Sequence, residues 1–137
     1  MKSLKINQMS VGDSAFVIKT ITSEDVFEFA NLVGDHNPIH LDEEVAKKSI
    51  FGRRVVHGAL VNSLFSGLLG TELPGMGAIY LKQETKFTAP TYINDTVTAS
   101  VTVTEIDLEK GRVTLKTEAI TQEGKVVASG FALVLVK

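Results

Sequence analysis

The apolar positions of the chain switch from alternation to a helical period near Thr22 and back to alternation near Ile79, so helices are predicted between flanking strands. The turn signal Val11-Gly12-Asp13 leads into Ser14-Ala15-Phe16-Val17-Ile18-Lys19, a first strand. Thr22-Ser23-Glu24-Asp25 carries the hydroxyl-then-acid signature of a helix start. Val26, Phe27, Phe29, Ala30, Leu32 and Val33 then recur on one wide face, which predicts a helix over 23–33 ended by Gly34. Gly34 to His40 reads as a helix end followed by a non-helical turn, because Pro38 disfavours the α region at Asn37. Asp42 caps a second short helix, with Glu43 and Glu44 at its start and Lys47 and Lys48 near its end. Residues 51–54 form a loop.

From His57 onward Leu60, Val61, Leu64, Phe65, Leu68 and Leu69 return at helical spacing, with the small residues Ala59, Ser63, Ser66 and Gly67 among them. This pattern predicts a central helix buried round most of its circumference. After a Pro-Gly loop at 71–77, the chain is β in character: 79–87, the strictly alternating 96–103, 113–120 and 126–136. The turns Glu109-Lys110-Gly111 and Gln122-Glu123-Gly124 make the last three an antiparallel meander. One buried helix against one antiparallel sheet gives an α+β domain over residues 1–137, with the sheet wrapped around the helix.

Composition narrows the partners. Hydrophobic residues make up 44% and charged residues 22% of the chain, a balance that supports a buried core and excludes wholesale disorder. A formal charge of −2 leaves no basic footprint for nucleic acid. Zero cysteines remove disulfides and thiolate chemistry and fit a cytoplasmic setting. No apolar run reaches the length of a membrane span, and the first residues lack a signal-peptide core. The expected protein is cytoplasmic and binds neither membrane nor nucleic acid.

Candidate chemistry concentrates in Gly34-Asp35-His36-Asn37-Pro38-Ile39-His40 and in Val56-His57-Gly58. Asp35 and His40, brought together by the turn, could hold one water and exchange its proton, although the same residue types also serve merely as turn formers. His36 is expected to point away. His36 and His40 are four apart, but Pro38 between them argues against a shared helical face and hence against a metal site. Gly58 at the start of the central helix offers an unsatisfied N–H that a developing oxyanion could approach closely, or it serves tight packing alone. Ser63 and Ser66 are hydroxyls on an otherwise apolar helix; such serines commonly bond to a carbonyl of their own helix. No nucleophile elbow, phosphate loop or dinucleotide fingerprint occurs.

The Gly34–His40 stretch resembles the hydratase 2 motif of the MaoC-like, (R)-specific enoyl-CoA hydratases. The resemblance continues through Phe51-Gly52-Arg53-Arg54-Val55-Val56-His57-Gly58 and Ser63-Leu64-Phe65-Ser66-Gly67-Leu68-Leu69-Gly70, and on to Leu73-Pro74-Gly75, Ile79-Tyr80-Leu81 and Phe87-Thr88-Ala89-Pro90. It looks closest to the short hydratases that supply monomers for polyhydroxyalkanoate synthesis. It implies a hot-dog fold, a homodimer joined sheet edge to sheet edge, and reversible syn hydration of trans-2-enoyl-CoA to (R)-3-hydroxyacyl-CoA. Carried over by position, Asp35 and His40 would activate the water, Asn37 would help hold it, and Gly58 N–H would bind the thioester oxygen. Ser66, and with it Ser63, would support substrate binding. Such a reaction needs no metal and no organic cofactor. Arg53, Arg54 and Lys82 are nearby candidates for the CoA phosphates. The same motif leaves two other readings open, a 3-hydroxyacyl-carrier-protein dehydratase and a non-catalytic acyl-CoA-binding module.

Overall fold

The computed structural model describes all residues from Met1 to Lys137. In chain order the elements are β1 (Ser14–Thr20), α1 (Ser23–Val33), α2 (Pro38–Leu41), α3 (Glu43–Lys47), α4 (Gly58–Thr71), β2 (Ile79–Phe87), β3 (Thr96–Asp107), β4 (Arg112–Thr121) and β5 (Val126–Leu135). The five strands form one antiparallel sheet in the order β1-β3-β4-β5-β2, so both strands that flank the helical segment lie at edges. α4 lies against the sheet, and the chain has the expected α+β hot-dog architecture.

Strand β3 shows why these sequences make these elements. Its Val97, Ala99, Val101 and Val103 are buried, while the Thr and Ser residues between them face outward. Opposite them α4 presents Val61, Phe65, Leu68 and Leu69, all buried, and β4 and β5 add Val113, Leu115, Ala119, Val127, Ala132 and Val134. Each of the valine, leucine and phenylalanine side chains contributes roughly 1.5–3 kcal/mol when withdrawn from water, and the alanines less. No helix is long and apolar enough to cross a membrane.

Three expectations need correction. Residues 38–41 are helical, not a non-helical turn, with Pro38 in the first turn, where its missing N–H costs nothing. The strands β3 and β4 run past the predicted limits, because their pairing resumes at Glu105 after a register shift that leaves Thr104 out, although the burial alternation stops at Val103. α4 is not buried round most of its circumference: Ala59, Ser63, Ser66, Gly67 and Gly70 are exposed. Its small residues mark a face that borders grooves, while only the larger apolar stripe enters the core.

Candidate active site

Helix α1 begins with a capping box, Thr22 Oγ1 accepting the Asp25 N–H and Asp25 Oδ2 accepting the Thr22 N–H. It ends at Gly34, whose φ of 82° is the left-handed conformation that glycine adopts without strain. Two local bonds then fold the motif. Asp35 Oδ1 accepts the Asn37 N–H at 3.2 Å, and Asn37 Oδ1 caps α2 by accepting the Ile39 N–H at 3.2 Å. One turn later α2 delivers His40 into the interior, where it is buried.

His40 Nδ1 donates to the carbonyl of Val55 at 2.7 Å. A carbonyl can only accept, so the neutral ring carries its proton on Nδ1 and presents a lone pair at Nε2. That nitrogen faces Asp35 Oδ2 at 3.9 Å, beyond direct hydrogen-bond range. Asp35 itself is half exposed. Two acceptors thus converge across a gap of water-bridging size.

The second stretch supports the first. His57, the residue before α4, stacks on His40 with ring centroids 3.8 Å apart and 27° between planes, and it also packs against the tilted ring of Phe29 at 5.0 Å. His57 Nε2 donates to the Asp35 carbonyl at 3.1 Å, which fixes the backbone that carries the carboxylate. His57 Nδ1 is buried without a partner. Burial holds the His57 pKa below the ordinary imidazole value, and the neighbouring His40 adds to this; the bond to the Asp35 carbonyl and the Asp35 charge oppose it. Gly58 follows as the first residue of α4, and no hydrogen bond engages its N–H. A Cβ there would stand 3.1 Å from the Phe87 ring and would press the ring back by a few tenths of an ångström, so glycine keeps this approach to the helix start clear. His40 and Gly58 line one cavity of about 400 Å³, together with Ile39, Val56, Phe87 and Val127.

Residues 13–125 match the model of the family described as "MaoC like domain". The chain belongs to the MaoC-like family. It is 49% identical over 125 residues to an (R)-specific enoyl-CoA hydratase of Rhodospirillum rubrum, covering 91% of this chain and 86% of that one. It is 43% identical over 131 residues to an (R)-specific enoyl-CoA hydratase of Aeromonas caviae, covering 96% of this chain and 98% of that one. Among solved structures, the (R)-hydratase from A. caviae involved in PHA biosynthesis superposes with a TM-score of 0.92 at 43% identity, over 94% of this chain and 98% of the other.

This MaoC-like chain gathers Asp35, Asn37, His40 and Gly58 in one region, but it gives several of the sequence candidates other surroundings. Asn37 has its side-chain oxygen committed to capping α2, which leaves only its amide nitrogen for a ligand. Ser63 Oγ donates to Leu60 O at 2.6 Å on its own helix, and neither Ser63 nor Ser66 lines the cavity that holds His40. Ser66 borders a separate hollow with Leu69, Gly70, Ala78, Tyr80 and Val134. His36 bonds to Asn31 on the surface, away from the pair as expected. Arg54 is withdrawn from any phosphate: it is buried, with Nε on His40 O at 2.6 Å and Nη1 on Ser23 Oγ at 2.9 Å. Arg53 is exposed and lies over the Tyr92 ring, and Lys82 lies over Phe131.

Asp35, His40 and His57 each offer a ligand atom within 4.8 Å of the others, yet the geometry is poor for a metal. Stacked imidazoles direct their in-plane lone pairs along near-parallel planes, which do not meet at one ion. The sequence reading placed His57 in the second candidate stretch without a role and took Arg54 for a phosphate cation, and so missed how both support the His40–Asp35 backbone. Position gave little signal of these roles, since the contacts the two residues make span 14 to 31 residues.

Proposed function

We propose that this chain is an (R)-specific enoyl-CoA hydratase, a hydro-lyase built as one hot-dog domain over residues 1–137. The observation that carries the reading is the pair of acceptors, Asp35 Oδ2 and the His40 Nε2 lone pair, 3.9 Å apart beside the cavity that also holds the open Gly58 N–H. A water that donates one proton to each acceptor keeps its own lone pair free for attack. In the hydration direction its oxygen bonds to C3 of the enoyl thioester. The C2=C3 electron pair moves towards the thioester oxygen, where Gly58 N–H and the positive end of α4 stabilise the enolate-like charge. The Asp35–His40 pair takes the water proton, and a proton returns to C2 from the same side, so that addition is syn. Each step uses only water and groups of this chain. Asn37 orients the pair through the α2 cap and offers its amide nitrogen to the water. Ser66 contributes to substrate binding from the separate hollow that it borders, and Arg53, beside the cavity residue Pro90, is the better placed cation for the CoA phosphates.

The enzyme acts as a homodimer in the cytoplasm. Both edge strands leave apolar side chains open, Phe16 and Ile18 on β1 and Ile79, Tyr80 and Leu81 on β2, and an edge of this kind is protected when the sheet continues into a second copy. The A. caviae relative supports placing the reaction in the supply of polyhydroxyalkanoate monomers.

The test is loss of enoyl-thioester absorbance with crotonyl-CoA, for wild type and Asp35→Asn, with the hand of the product read by an (R)-specific dehydrogenase. Turnover, an (R) product and collapse in the variant are expected. A folded wild type that leaves crotonyl-CoA and longer enoyl-CoAs untouched would sink this reading. Carrier-protein thioesters would then separate a dehydratase from an acyl-CoA-binding module.

A further inference from the structure

We propose that Arg54 is a positioning residue for the hydration step: its guanidinium fork ties α2 to the start of α1 and so sets the gap between His40 Nε2 and Asp35 Oδ2. The inference rests on the hydratase reading above, in which those two atoms hold the attacking water.

The two acceptors hang from different helices. Asp35 follows the end of α1 and His40 lies on α2, and only residues 34–37 join the helices, beginning with the left-handed Gly34. Val26 seats α1 in the core, whereas α2 offers the main apolar cluster only the partly buried Leu41. A helix of one turn also holds itself weakly. The place of α2 is therefore set by polar bonds from outside, and residues 54 and 55 supply them. Val55 N–H donates to Ile39 O at 3.2 Å, Val55 O accepts from His40 Nδ1 at 2.7 Å, and Arg54 Nε donates to His40 O at 2.6 Å. Consecutive residues thus hold the ring and the carbonyl of His40.

Arg54 does more than close this ribbon. Its Nη1 donates to Ser23 Oγ at 2.9 Å, and Ser23 is the first residue of α1. That position lies about 16 Å of helix rise from the end that carries Asp35. The two helices are joined through the chain at one end and through Arg54 at the other, and a frame tied at both ends cannot pivot about Gly34. The tie calls for arginine. Its planar fork presents Nε and Nη1 as fixed donors to acceptors on separate elements, whereas a lysine ammonium is one point on a flexible stem. Stability does not account for the residue. The side chain is buried, forms no ion pair and leaves Nη2 without a partner; its nearest aromatic face is that of Phe27, at 5.2 Å. A buried cation without a carboxylate weakens a fold, so what Arg54 secures is the geometry at His40.

The experiment is kcat and KM with crotonyl-CoA for wild type, Arg54→Met, Arg54→Lys, Ser23→Ala and the Arg54→Met/Ser23→Ala double variant, with rates referred to the folded fraction from urea melts. Arg54→Met fills the space without donors and should lower kcat roughly 10- to 100-fold, the loss that a misplacement of about 1 Å brings. KM should stay within about twofold, because Arg54 does not line the cavity. Arg54→Lys should recover only part of the rate. Ser23→Ala should lower kcat about two- to fivefold, the scale of one hydrogen bond, and should add nothing in the Arg54→Met background. A kcat per folded molecule that Arg54→Met leaves unmoved overturns the inference, as does a change confined to KM. Arg54→Lys at the wild-type rate also overturns it, since charge alone would then suffice. If Arg54→Met does not fold, Arg54→Lys and Ser23→Ala decide, and a wild-type kcat in either overturns it. Absence of crotonyl turnover in wild type overturns the hydratase reading and this inference with it; crotonyl turnover with an unmoved kcat in the variants overturns this inference alone.

Discussion

The sheet-facing side of α4 and the segment from Gly34 to Gly58 are neighbours built on opposite principles. On the first, Val61, Phe65, Leu68 and Leu69 meet valines, alanines and leucines of β3, β4 and β5, and many interchangeable contacts share the work. On the second, single polar bonds each set one group: Asn37 caps α2, Val55 O fixes the His40 tautomer, His57 holds the Asp35 carbonyl and Arg54 holds the His40 carbonyl. That segment even leaves His57 Nδ1 and Arg54 Nη2 buried without partners, an expense absent from the core. The difference teaches where stability and chemistry reside, and substitutions should separate the two.

The sharpest separation is Asp35→Asn. The side chain is half exposed and an amide fits its place, so unfolding free energy should move by no more than about 0.5 kcal/mol. An amide cannot take up the water proton, so hydratase kcat should fall by roughly 10²–10⁴. Steady-state rates and a urea melt on the same sample check both halves; a variant that lost stability in step with activity would merge the two regions. Phe65→Ala is the converse. Phe65 is fully buried, and removing its ring should cost about 3–5 kcal/mol in a urea titration, with the folded fraction still turning over substrate.

How much of this was legible in the sequence follows the same division. The Val97–Val103 alternation, the α1 helix and the α4 apolar stripe report local periodicity, and the structure places these elements as read, although of the α1 face only Val26 and Ala30 are buried while Phe27, Leu32 and Val33 are exposed. Gly34 could be read as a helix end because only a short-range rule is involved. The reading failed just beyond Asn37: that residue does leave the α region ahead of Pro38, but Pro38 then opens a helix instead of continuing the turn. Arg54 looked like a surface cation beside Arg53, yet the fold brings Ser23 and the His40 carbonyl to it from 31 and 14 residues away. The His40–His57 stack likewise depends on α2 and α4 meeting, which no periodicity encodes. Asp35, His40 and Gly58 were candidates from residue type and position, with the turn-forming and packing readings open; the family motif added the roles proposed for them and for Asn37.

His57 lies on the border between the two regions, and pH exposes it. Its folded pKa lies below the ordinary value of 6.5, chiefly because burial disfavours the imidazolium; the charged or titratable neighbours facing it are Asp35 and His40. Below pH 6.5 the unfolded chain takes up a proton that the folded protein still refuses, so the unfolded state binds more protons and is favoured. The His57 contribution to stability is therefore complete above that pH and declines as pH falls towards the folded value. Urea midpoints should drop on acidification through this window, and His57→Asn should drop less steeply over the same range, although it starts from a lower stability. Parallel curves for the two proteins would show that His57 does not report the border.

The smallest effect belongs to Ser63, and it tests whether the comparison has been drawn along the right line. The structure turns this hydroxyl back onto Leu60 O of its own helix, on the exposed stripe and away from the cavity of His40 and Gly58. Ser63→Ala removes a bond to a carbonyl that α4 already uses and installs the best helix former, two changes of opposite sign. Stability should move by about 0.5 kcal/mol or less, and kcat/KM with crotonyl-CoA should stay within a factor of about two. Ser66→Ala, one turn closer to Gly70 and beside the second hollow, should instead act on long substrates if on any. A marked loss of crotonyl turnover in Ser63→Ala would mean that the exposed stripe of α4 holds substrate. The boundary between chemistry and core would then run along the helix on the side facing away from β2.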